Sequence, residues 1–215
     1  MPAKALIHVV DDEEAVRSSL VTLLNTYGFD VETFGSGQAF LDVIAERRAS
    51  CVLLDMRMPG FDGFAVQRAM KLEKIAVPVI FLTGHGDIPM AVSAIKNGAF
   101  DFVEKPVRDD LLVETIGRAL EHATKRDTEA AKRQAVLDRF RRLTVRERAV
   151  LALVTEGYSS QAIAAELEIS IRTVDHHRAR ILEKMEALGL SHLIKMSLEI
   201  GAGGGADSTM LEGSP

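Results

Sequence analysis

Asp11-Asp12, Asp55, Thr83 and Lys105 lie far apart in the chain, yet their types suit one reaction, phosphoryl transfer to a carboxylate. Asp55 has the chemistry of the nucleophile in aspartyl-phosphate formation. A lysine ammonium offsets charge on the transferring oxygens, and a threonine hydroxyl can hydrogen-bond the product. Two bare carboxylates about 4 Å apart repel by about 4 kcal/mol at an effective dielectric of about 20. A divalent cation relieves that repulsion, and Mg²⁺ suits an all-oxygen set. Each residue alone has a plainer reading: Asp11 and Asp12 as helix caps, Thr83 as a turn residue before Gly84, Lys105 as a solvated lysine. What decides is whether the chain brings them to one place.

The stretches around them answer this. Cys51-Val52-Leu53-Leu54 runs straight into Asp55, with Pro59-Gly60 just beyond. An unbroken apolar run bounded by turn residues predicts a strand buried on both faces, as in parallel sheets. Residues 5–10 form a second apolar run, and 31–34, 78–82 and 100–104 are further strand candidates; the four end respectively before Asp11, Gly35, Thr83 and Lys105. Helical spacing follows each one: Val16, Leu20, Leu23 and Leu24; then Ala39, Phe40, Val43 and Ile44 after a Ser36 cap; then about 63–73, 88–97, and a start near Asp109. Five strands alternating with five helices predict an α/β domain of flavodoxin-like type, a five-stranded parallel sheet of order 2-1-3-4-5. Strands one, three, four and five then deliver Asp11/Asp12, Asp55, Thr83 and Lys105 to one carboxyl edge, where such sheets bind ligands.

At 215 residues, 47% hydrophobic and 27% charged, the chain has room for one large globular domain or two small ones. It shows no run of about 20 apolar residues and no signal-peptide layout, so a cytoplasmic protein without membrane association is expected. A single cysteine, Cys51, excludes an internal disulfide and reads as a small core residue. The formal charge of −5 is uneven: residues 1–125 hold 13 Lys+Arg against 18 Asp+Glu, and residues 126–215 hold 13 against 13.

Four motifs carry a resemblance. Val10-Asp11-Asp12-Glu13, Leu54-Asp55-Met56-Arg57-Met58-Pro59-Gly60, Leu82-Thr83-Gly84-His85-Gly86 and Glu104-Lys105-Pro106 resemble the receiver domain of two-component response regulators. Thr83–Val92 is similar to the FixJ subgroup. The resemblance implies that Asp55 accepts phosphate from a histidine kinase. It further implies that Asp12, Asp55 and the backbone carbonyl of Arg57 bind Mg²⁺ with Asp11 nearby, that Lys105 contacts the phosphate, and that the Lys105–Pro106 bond is cis. Its switch pairs Thr83 with an aromatic at Phe102; many relatives have Tyr there, so a hydrogen-bonded tyrosine switch is excluded here. It also implies phosphorylation-driven homodimerisation through the helix near 88–97 and the fifth strand. On that helix Ala91, Ala94, Ile95 and Gly98 share a face expected to pack inward, and Val92 and Lys96 share another, as interface candidates. A solvated face with one valine is the plainer reading.

Residues 123–140, rich in Ala, Lys, Arg, Glu and Gln, predict a helical linker. Thr144 with Glu147 forms a capping-box signature, Gly157 ends that helix, Ser159 or Ser160 opens a second, Ser170 a third to about Met185, and a fourth covers about 190–200. Val174, Ile181 and Met185 share one face of the third helix; Arg172, Asp175, His176 and Ala179 lie opposite, flanked by Arg178, Arg180 and Lys184. Polar side chains between cationic flanks suit major-groove reading, although the local charge is only +2, four basic against two acidic from Arg172 to Lys184. A solvated helix face fits that charge as well. Leu143-Thr144-Val145-Arg146-Glu147-Arg148, Ile163-Ala164 and Arg172-Thr173-Val174 with His177-Arg178 and Ile181 resemble the LuxR/NarL-type helix-turn-helix. By that pattern Asp175, His176 and Ala179 face base edges, while Arg172, Thr173, Arg178 and Lys184 touch phosphates of double-stranded DNA. Ser159-Ser160-Gln161 stands where the family usually has Ser-Asn-Lys, which removes one cationic backbone contact.

The expectation is a transcription regulator acting with RNA polymerase, not an enzyme beyond Mg²⁺-dependent self-phosphorylation and autodephosphorylation. Its parts are a receiver (3–122), the linker (123–140), an all-α four-helix helix-turn-helix domain (141–200) and a disordered tail (201–215). Two rivals come from other classes. An aspartyl-phosphate phosphatase resembling haloacid-dehalogenase enzymes needs an acid two residues after the nucleophile, where Arg57 stands. A signalling adaptor would bind protein through its helical domain, and a salt-dependent shift on DNA separates the two.

Overall fold

The computed structural model describes residues 4–44, 49–84 and 88–202, and the chain divides into two compact units at Arg126/Asp127. The first holds strands β1 (Leu6–Val10), β2 (Asp30–Phe34), β3 (Cys51–Asp55), β4 (Val79–Thr83) and β5 (Asp101–Glu104). Alternating with them are helices α1 (Glu14–Thr26), α2 (Gly37–Ile44), α3 (Gly63–Leu72), α4 (Ile88–Lys96) and α5 (Asp109–Arg141). All strand pairs are parallel and the order is β2-β1-β3-β4-β5, the arrangement expected from the apolar pattern.

Both faces of the sheet are covered at its centre, which is why β1, β3 and β4 read as near-continuous apolar runs, while the edge strands β2 and β5 carry exposed acidic residues. Successive side chains point to opposite faces. Thus Ile7, Val9, Leu53, Ile80 and Leu82 pack with Leu20 and Leu24 of α1 and Leu112 and Ile116 of α5. Val10, Val52, Leu54 and Phe81 pack on the other face with Phe40 of α2, Val66 and Met70 of α3 and Ala94 of α4. Cys51 is fully buried, and burial pushes its thiol up to about 12, so it stays a protonated core residue. On α4 the inward face is narrower than its spacing predicts. Ala94 is buried, but Ile95 is 40% exposed and Gly98 is exposed, while the Ala91 side chain lies outside the described residues.

The second unit contains α6 (Val145–Thr155), α7 (Ser160–Glu166), α8 (Ile171–Met185) and α9 (Leu190–Glu199). The Thr144–Glu147 capping box forms in full: Thr144 Oγ1 accepts from Glu147 N (3.2 Å), and Glu147 Oε2 accepts from Thr144 N (2.7 Å). Ser159 caps α7 and Ser170 caps α8. Val150, Leu151, Ile163, Val174, Ile181, Met185 and Leu193 build its core, joined by Val136 from the last turns of α5. Val136 lies in the stretch that composition assigns to a linker. Its burial shows that this core starts before residue 141. No helix among the described residues is long and apolar enough to cross a membrane.

Candidate functional site

Register brings the chemistry-bearing residues together. Val10 pairs with Leu54 and Asp55 with Leu82, so Asp11 and Asp55 stand side by side at the carboxyl edge. Thr83 pairs with Glu104, the last residue of β5, which puts Lys105 just beyond that strand's end. Asp11, Asp55 and Thr83 are buried, Lys105 is partly buried, and Asp12 and Arg57 are exposed.

One ammonium bridges two acids. Lys105 Nζ donates to Asp55 Oδ1 (2.5 Å) and to Asp11 Oδ2 (2.8 Å). The remaining oxygens take backbone donors: Asp55 Oδ2 accepts from Arg57 N (2.8 Å) and Asp11 Oδ1 from Glu13 N (2.9 Å). Burial pushes the Asp55 carboxyl up, and Asp11 adds to this, while Lys105 and the Arg57 amide pull the other way without cancelling it. Burial works against charge on Lys105, but Asp11 and Asp55 outweigh it and hold the ammonium above the usual lysine range. The Lys105–Pro106 bond is cis, and the Lys105 backbone N–H donates to the Thr83 carbonyl (2.7 Å).

Neighbouring elements fix the loops. Arg17 Nη1 donates to the carbonyls of Asp11 (2.8 Å) and Asp12 (3.0 Å). Sequence pattern alone does not single out Arg17; the available signal was a cation near a helix N-terminus, where the dipole disfavours it. Gly63, the first residue of α3, approaches the Asp55 backbone so closely that an added Cβ would lie 2.4 Å from the Asp55 carbonyl oxygen and 2.8 Å from the Phe81 ring. Only glycine fits there.

Among the described residues no group of three or more His, Cys, Asp or Glu converges as a metal cluster. Asp11 and Asp55 nevertheless present hard oxygen donors, and a Mg²⁺ ion that keeps several waters needs only one or two carboxylates. The donor set therefore fits that ion. His85-Gly86 of the fourth-strand motif lies outside the described residues.

Phe102 on β5 is 38% exposed and does not belong to the core. Val92, at 47%, and Lys96 are exposed on α4.

In the second unit Arg172, Asp175, His176 and Ala179 of α8 are exposed, opposite the buried Val174, Ile181 and Met185. Internal partners hold several of the expected DNA contacts. Lys184 Nζ donates to the buried Glu147 Oε2 (2.7 Å), and the Thr173 hydroxyl meets that of Ser170 (2.7 Å). Arg178 Nη1 donates to Ser160 Oγ (3.0 Å), which in turn donates to Asp175 Oδ1 (3.0 Å). Helical spacing gives the face of Lys184 but not its partner, which is 37 residues away.

Two family models match the chain: the response regulator receiver domain over residues 7–117, and the bacterial regulatory proteins of the luxR family over residues 141–197. This chain belongs to the LuxR-type response regulators. The transcriptional regulatory protein FixJ of Rhizobium meliloti (strain 1021) is 43% identical over 197 residues, covering 92% of this chain and 97% of that one. The response regulator StyR, in a low-resolution structure, superimposes with a TM-score of 0.80 at 37% identity, covering 92% of this chain and 100% of that one. Full-length FixJ from B. japonicum superimposes with a TM-score of 0.59 at 41% identity, covering 93% and 98%. This response regulator is therefore of the FixJ type, with a receiver domain and a DNA-binding domain that mark it as a regulator of transcription.

Proposed function

We propose that this response regulator is switched by phosphorylation of Asp55, and that the phosphorylated form dimerises and binds double-stranded DNA. The bridging of Asp11 and Asp55 by Lys105 is the observation that carries the reading. A carboxylate oxygen of Asp55 attacks the phosphorus of a phosphohistidine on the kinase. The O–P bond forms as the N–P bond breaks, and the leaving imidazole takes up a proton. The Lys105 ammonium already faces Asp55 and meets the negative oxygens of the incoming group. Asp11, Asp12, Asp55 and the Arg57 carbonyl would hold Mg²⁺, which supplies charge neutralisation at the transferring group. The Thr83 hydroxyl, at the end of β4, hydrogen-bonds the phosphoryl product.

The new group acts only through its different contacts in two conformations. Thr83 and Phe102 read it: Phe102 is already outward on β5 and changes rotamer by packing. Val92, Ile95 and Phe102 expose apolar surface on α4 and β5, which supports a homodimer surface that includes Lys96. Two copies then present two α8 helices to a two-fold symmetric operator. Asp175, His176 and Ala179 face base edges, and Arg172, Thr173 and Arg178 contact phosphates. Lys184, engaged with Glu147, supports the flank of α8. RNA polymerase is the machinery regulated.

The test is sedimentation and DNA binding of the full chain with Mg²⁺, with and without an acyl-phosphate donor. The expected result is a donor-dependent shift from monomer to dimer, with tighter binding to DNA. An unchanged oligomeric state and unchanged DNA affinity would overturn the switch.

A further inference from the structure

The Ser160 hydroxyl joins two residues of the proposed reading helix. Arg178 Nη1 lies 3.0 Å from Ser160 Oγ, and Ser160 Oγ lies 3.0 Å from Asp175 Oδ1. A guanidinium has only donors and a carboxylate only acceptors, so the direction is fixed. The hydroxyl accepts from Arg178 and gives its single proton to Asp175. The hydroxyl has no capping duty: Ser159 caps α7 by accepting from Ala162 N (3.2 Å). Asp175 and Arg178 are three apart, hence neighbours on the surface of α8, and Ser160 lies across from them at the start of α7.

We infer that Ser160 is a positioning residue that sets the DNA sequence preference of this regulator. The inference rests on α8 reading bases, as proposed above. With Oδ1 of Asp175 held by Ser160, Oδ2 is the oxygen presented to a base, and its partner is an exocyclic amino group of cytosine or adenine. The held Arg178 keeps a cation beside the carboxylate, which offsets its repulsion from the DNA backbone. Without the hydroxyl the carboxylate turns freely and picks no single base, while Arg178, which has further N–H donors, keeps its phosphate. Sequence preference falls, but binding to DNA in general does not.

The experiment is selection from randomised duplexes with the full chain and an acyl-phosphate donor, followed by affinity against salt. The chains compared are the parent, Ser160→Ala, Ser160→Thr and Asp175→Ala. Ser160→Ala and Asp175→Ala should relax preference at the same base pair, by about tenfold. Ser160→Thr keeps a hydroxyl and should retain the parent preference. The slope of log affinity against log salt should stay within about one unit of the parent in Ser160→Ala. A thermal midpoint equal to the parent shows that α7 remains folded, as the Ser159 cap is intact. Preference in Ser160→Ala unchanged at every base pair overturns the inference alone. So does a uniform loss across sequences with a reduced salt slope, since Ser160 would then serve only to hold the Arg178 cation on a phosphate. A parent that selects no sequence overturns the DNA-reading proposal and this inference with it.

Discussion

Lys105 Nζ lies 2.5 Å from Asp55 Oδ1, an ion pair that reaches from the end of β5 past β4 to the end of β3. Because the same ammonium also holds Asp11 at 2.8 Å, the pocket contains two buried acids and one cation. Removing either partner of the pair should therefore change stability in opposite directions.

For Asp55 the folded chain holds its proton more tightly than the unfolded chain, because burial and Asp11 raise its carboxyl. The cost of ionising it is absent below the unfolded value of about 3.9, builds as pH rises from there to the folded value, and is complete above it. Asp55→Asn should thus raise the receiver's thermal midpoint at pH 7, by about 3–5 °C for about 1 kcal/mol. Lys105→Ala leaves two carboxylates facing each other and should lower stability by about 3 kcal/mol. Thermal and urea unfolding at pH 7 measure both.

Gly63→Ala probes the approach of α3 to the Asp55 backbone. A methyl 2.4 Å from the Asp55 carbonyl oxygen forces α3 or β3 to move. Loss of about 1–3 kcal/mol in urea unfolding is expected, with slower label uptake at Asp55.

Glu147 provides a pH test in the other unit. Burial pushes its carboxyl up, but Lys184 and the Thr144 cap outweigh this and hold it below the usual range. A lowered carboxylate stabilises the fold above its unfolded value of about 4.3, and that stability is lost as pH falls through the folded value. Glu147→Gln should lower the thermal midpoint of this unit at pH 7 by an amount corresponding to about 1 kcal/mol. It should also flatten the midpoint's fall as pH drops below the unfolded value of about 4.3.

Arg172, exposed at the start of α8, is assigned to a phosphate. Arg172→Ala should weaken binding evenly across DNA sequences and reduce the salt slope by about 1. Fluorescence anisotropy over a salt series reads both, and a sequence-selective loss with an unchanged slope would contradict the assignment.

Much of this was legible in the chain itself, for physical reasons. A strand buried on both faces must be apolar throughout, so Cys51–Leu54 announces β3 and locates Asp55 at its end. The capping box at Thr144 and the Ser170 cap are local, and they form where the residues stand. What the pattern does not contain is which element covers which face. The spacing of α4 places Ile95 inward, yet it is 40% exposed, because helical period gives a direction and not the width of the neighbour. Val136 reads as linker because Ala130, Val136 and Leu137 are too few to form an apolar face by themselves, and the cluster Val136 joins is built by residues later in the chain, Leu143 and Val150 among them. The Lys184–Glu147 pair and the Ser160 hydroxyl likewise depend on contacts between helices.

Phosphate uptake by the intact protein tests the central claim most directly. With Mg²⁺ and a labelled acyl-phosphate donor, the parent chain should take up about one label per chain in an acid-labile, hydroxylamine-sensitive linkage. Asp55→Asn should take up none. The same linkage persisting in Asp55→Asn would contradict the assignment of Asp55 as the phosphoacceptor.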